Sequence, residues 1–148
     1  MKQPQKITKI QLKSSQNEGL IVFGIVSHEA DYKLSLILNQ IIGISLKQDT
    51  PITISDDFGN VHFFSRFTTS AYAPDNIVYT LTFNRSGSFF LLKKLKNIDY
   101  LFYINNYSGD SDLESKIFTT LRKIENVNAV LPIDIKTLND KNTSYLIQ

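Results

Sequence analysis

The chain has two histidines, His28 and His62, and no cysteine. Disulfides, thiol nucleophiles and cysteine-ligated metals are therefore excluded. Acid–base chemistry near neutral pH would fall to an imidazole. His28 follows Ser27 at the end of the apolar run Leu20–Val26, in the turn after a strand, where reacting groups are often placed. A small hydrolase-like enzyme would use His28 with Asp31 or Asp99, the carboxylate orienting the ring. Sequence neighbours do not by themselves make a nucleophile and a base, and nothing matches the Gly-x-Ser-x-Gly elbow. The plainer reading makes Ser27 a helix N-cap and leaves His28 on the surface.

Two Asp-Tyr pairs, Asp31-Tyr32 and Asp99-Tyr100, stand at the borders of apolar elements. If they approach each other, they form with His28 a polar rim at one end of a sheet. A ligand or partner could use that rim, or it could be a hydrogen-bond cluster orienting helix and strand. Lys93, Lys94 and Lys96 follow Phe89 and Phe90, the crude signature of nucleic-acid contact and equally that of a solvated turn. Asp56-Asp57 and Asp110-x-Asp112-x-Glu114 invite a metal reading. The second lacks the glycine and distant glutamate of a calcium loop. No metal and no cofactor is expected, and no Gly-rich phosphate loop is present.

The elements that must position these groups follow from hydrophobic spacing. Leu20–Val26 and Tyr100–Ile104 are almost continuously apolar, as strands covered on both faces are. Gly24 inside the first implies a close neighbour or a bulge. Ala30, Leu34, Ile37, Leu38 and Ile41 repeat at helical spacing, with Gly43 closing the helix. Ile52-Thr-Ile54 reads as a short strand before the turn Asp56–Asn60. Val61–Phe67 and Ile77–Phe83 read as a hairpin around Ala73-Pro-Asp-Asn76, and Ile77, Tyr79, Leu81 and Phe83 share one face. Ser111-Asp-Leu-Glu114 fits a capping box, followed by a stripe of Leu113, Ile117, Leu121 and Ile124. Val127, Ala129, Leu131, Ile133 and Ile135 alternate as a final strand, and Pro132 makes it an edge. Tyr145–Ile147 is expected to dock as a short strand.

The order β-α-β-β-β-α-β predicts an α+β fold, a mostly antiparallel sheet of about five strands with two helices packed on one face. With 148 residues, one such domain over 18–148 is expected behind a basic arm, 1–17. Residues 1–18 carry Lys2, Lys6, Lys9 and Lys13 against Glu18, a net +3, and the remainder is −1. The arm could touch phosphates or acidic lipid, or be a solvated tail. No apolar run approaches the roughly 18 residues of a membrane span, so the expected address is the cytoplasm.

Leu92-Lys-Lys-Leu-Lys-Asn-Ile-Asp-Tyr100 resembles the motif of the IPExxxVDY family of small bacterial proteins. Ile98-Asp99-Tyr100 matches its Val-Asp-Tyr, whereas Leu92, Lys93 and Lys94 stand in place of Ile-Pro-Glu. An upstream Ser-His…Asp-Tyr-(Lys/Arg)-Leu pattern matches Ser27, His28, Asp31, Tyr32, Lys33 and Leu34. Leu138 to Ile147 keeps a Leu-x-x-Lys-x-x-Leu-Ile pattern loosely. The resemblance implies a protein of the Bacteroidota, from a family without an assigned activity whose genes lie near that of a ribonuclease III.

Three functions remain in competition. The first is a non-enzymatic module that binds another protein or itself. The second is an RNA-binding accessory using the arm and Lys93, Lys94 and Lys96. The third is an enzyme using His28 with Asp31 or Asp99.

Overall fold

Strand β1, Ile21–Ser27, carries apolar side chains on both of its sides, and both are covered. It lies between β7, Tyr100–Asn105, and β8, Val127–Ile133. The computed structural model describes residues 19–70, 76–105 and 111–147, and the side chain of Ser111 is outside that description. The basic arm, the Ala73–Asp75 part of the predicted turn, Asp110 and the capping hydroxyl of Ser111 therefore lie outside the described residues. Five more strands complete the architecture: β2, Lys47–Ser55; β3, Val61–Thr68; β4, Val78–Phe83; and the two-residue strands β5, Arg85–Ser86, and β6, Phe89–Phe90, which pair with each other. The main sheet has six strands in the order β2-β3-β4-β7-β1-β8, all neighbours antiparallel. The fold is α+β, with β8 at one edge as Pro132 requires.

Two helices cover one face. They are α1, Asp31–Leu38, continued by a π-type turn over Asn39–Gly43, and α2, Ser111–Arg122. Leu34 and Leu38 of α1 and Ile117 and Leu121 of α2 meet Phe23, Ile25, Leu81, Phe102 and Ile104 of the sheet. A fully buried leucine is worth about 1.5–3 kcal/mol, so this stripe accounts for the docking of both helices. Gly43, at φ +80°, turns the chain out of the π-type turn in a conformation side chains disfavour.

The opposite face is covered by irregular chain. Leu91, Leu92 and Ile98, with Ile135 and Leu146 near the C-terminus, pack on Val22, Phe64, Leu101 and Tyr103. The expected strand at Tyr145–Ile147 is instead a short helix, α4, Ser144–Ile147, which buries Leu146. Ile135 belongs to a further short helix, α3, Ile135–Leu138, capped by the Asp134 carboxylate.

Three local expectations are corrected. Ser27 does not cap α1. The N-cap is Ala30, without a side-chain bond, and Ser27 closes β1 instead. The even alternation of β8 is broken where its register against β1 shifts between Val26 and Ser27. Val127 and Val130 consequently pack on the helix side and Ile133 on the other. The strand expected at Ile52–Ile54 extends to nine residues, because an edge strand can be polar over much of its length. No helix among the described residues is long and apolar enough to cross a membrane.

Candidate functional site

The polar rim forms where β1 ends and β7 begins. Asp99 is buried there before the first residue of β7. Its Oδ2 accepts the Ser27 N–H at 2.9 Å, and its Oδ1 accepts Arg85 Nε–H at 2.7 Å. The Asp99 N–H donates to the Ile25 carbonyl and its carbonyl accepts from Asn84. The carboxylate is thus fixed on both oxygens, and its countercharge lies over the Phe90 ring, 5.2 Å from the centroid.

Tyr100 stacks on Phe83, centroids 4.7 Å apart, and its hydroxyl donates to the Glu29 carbonyl. Burial chiefly, and then the negative charges of Asp31, Asp99 and Glu29, push its phenol above the ordinary tyrosine value. It is therefore a fixed donor rather than a base. Asp31 accepts from the Tyr32 amide, and Tyr32 projects outward. The Ser27 hydroxyl donates to the Asn126 carbonyl at 2.6 Å and accepts the Glu29 N–H at 3.0 Å. Glu29 in turn accepts Asn126 Nδ2 at 2.6 Å and lies 3.7 Å from Lys33 Nζ.

His28 is exposed at the border of this network. With Glu29, Glu125, Asn126 and Asn128 it lines an open groove of about 300 Å³. Among the described residues, His28 has no hydrogen bond to Asp31 or Asp99. The rim therefore brings together Asp31, Asp99 and Tyr100, and sets His28 and Tyr32 outside. No group of three or more potential metal ligands occurs among the described residues.

No protein-family model matches the chain, and no curated protein matches its sequence. The geometry must carry the functional reading.

Lys93, Lys94 and Lys96 are exposed on a loop shaped from beneath by two asparagines. Asn84 is fully buried; its Nδ2 donates to the Leu95 and Ile98 carbonyls, and its Oδ1 accepts the Leu92 N–H. Asn142 Nδ2 donates to the Leu91 carbonyl, and Asp140 accepts the Lys93 N–H. This tie places the exposed Lys141 beside the same loop. Neither asparagine stood out in the sequence, because a lone Asn after a strand or in a polar tail has no distinguishing pattern.

The second histidine has a partner that spacing did not reveal. His62 Nε2 is 2.9 Å from Asp56 Oδ2, and its ring lies flat on Phe89 at 4.0 Å. Oδ1 of Asp56 accepts the amides of Phe58 and Asn60, which fixes the turn between β2 and β3. Ahead of Arg66, β3 is paired with β2 and not with β4, so this end of the hairpin is a two-stranded ribbon. One side of the ribbon holds Ile52 and Phe64 against the irregular cover. The other side leaves Val61 and Phe63 in solvent, with Phe58 at the tip 89 % exposed.

Proposed function

We propose that the chain is a non-enzymatic, cytoplasmic protein-interaction module that contacts another protein through the bare side of the β2–β3 ribbon. One observation carries this reading: Phe58, in the turn tied by Asp56, and Val61 and Phe63, on the strand that follows it, are all exposed. Exposed apolar side chains concentrated at one place mark interaction surfaces, whereas scattered ones need no explanation. Aromatic anchors on a preorganised frame lose little entropy on binding. Asp99, one of the two carboxylates expected to orient His28, has both oxygens taken by Ser27 and Arg85, which supports a role other than catalysis.

The test is affinity capture from the native cell with nuclease present, comparing the wild type with Phe63→Ser and Phe58→Ser. A partner retained by the wild type and lost by both variants is the expected result. Equal capture by all three ends this reading.

A second reading, RNA binding, is favoured by the four exposed lysines Lys93, Lys94, Lys96 and Lys141 around one loop. Lys93 Nζ already sits 5.7 Å from the Phe89 ring centroid. Filter binding across a salt series decides it, since absence of affinity at low salt removes the electrostatic term it needs.

Membership of the IPExxxVDY family is proposed on the same footing. It is supported by the three matched residues each having a distinct structural task. Ile98 packs over Gly24, Asp99 bridges Ser27 and Arg85, and Tyr100 ties β7 to the turn after β1.

A further inference from the structure

We draw no further inference here: the strongest candidate, the uncharged outer edge of β8 at the border of the main sheet, is a strand edge for which nothing in the structure shows what covers it.

Discussion

The carboxylate of Asp99 reaches the backbone N–H of Ser27 at 2.9 Å across 72 positions of sequence, and its other oxygen holds Arg85 at 2.7 Å. One side chain thus joins the end of β1, the start of β7 and the small β5–β6 hairpin. Replacing it by Ala leaves a buried N–H without its acceptor and a guanidinium without its counterion. Because Arg85 is 40 % exposed, water recovers part of the loss. Asp99→Ala is expected to destabilise the fold by about 2–3 kcal/mol, with Asp99→Asn milder. Urea denaturation with an unchanged m value checks it.

Gly24 carries a second constraint. A Cβ there would stand 2.9 Å from Ile98 Cδ1 and within 3.1 and 3.2 Å of two further Ile98 carbons. The isoleucine would have to move as a whole. Gly24→Ala is expected to cost about 1–3 kcal/mol, as overpacking does. Ile98→Val removes Cδ1, so the double variant should lose less than the two single losses combined, and a double-mutant cycle measures the difference.

Asp56 predicts an acid response. The His62 hydrogen bond is the main influence and the amides of Asn60 and Phe58 add to it, against a smaller opposing effect of burial. Together they lower its carboxyl from 3.8 to about 2. A carboxyl depressed in the folded state stabilises above its unfolded value, and that stabilisation is lost as pH falls through the folded value. The melting-temperature gap between wild type and Asp56→Asn should therefore close as pH falls from about 5 to about 2. A gap that does not change over this window refutes the assignment.

Tyr100 predicts the alkaline counterpart. Its raised phenol means that the stabilisation is present below the ordinary tyrosine value and is lost as pH rises through the folded one. Ultraviolet titration of the folded protein should show a tyrosine that stays protonated when exposed ones have ionised, and Tyr100→Phe should remove it from the count. The same substitution deletes the bond to the Glu29 carbonyl, for about 1 kcal/mol of stability.

Much of the scaffold is legible from hydrophobic period alone. β1 and β7 are readable because a strand buried on both faces cannot carry polar residues, and the Leu34–Leu38 and Ile117–Leu121 stripes mark the helix-facing side. Pro132 marks an edge because proline has no donor. The second covering layer was not legible, since Leu91, Leu92, Ile98 and Leu146 lie on chain without a period. Ser27 misleads for a related reason. A serine before a helix suggests a cap, and only the fold shows its hydroxyl meeting Asn126, 99 residues away. Asp99 and Tyr100 reach the turn after β1 through their bonds to Ser27 and Glu29, whereas the place of His28 in the groove depends on the path of that turn, which sequence spacing does not fix.

Asn84 has one further implication. A single carboxamide underneath satisfies three backbone groups of the loop that carries Lys93, Lys94 and Lys96. The outward side chains are therefore relieved of any part in keeping that segment in shape. Evolution can rewrite what this stretch shows to its surroundings, from basic to acidic or apolar, while the framework behind it stays the same.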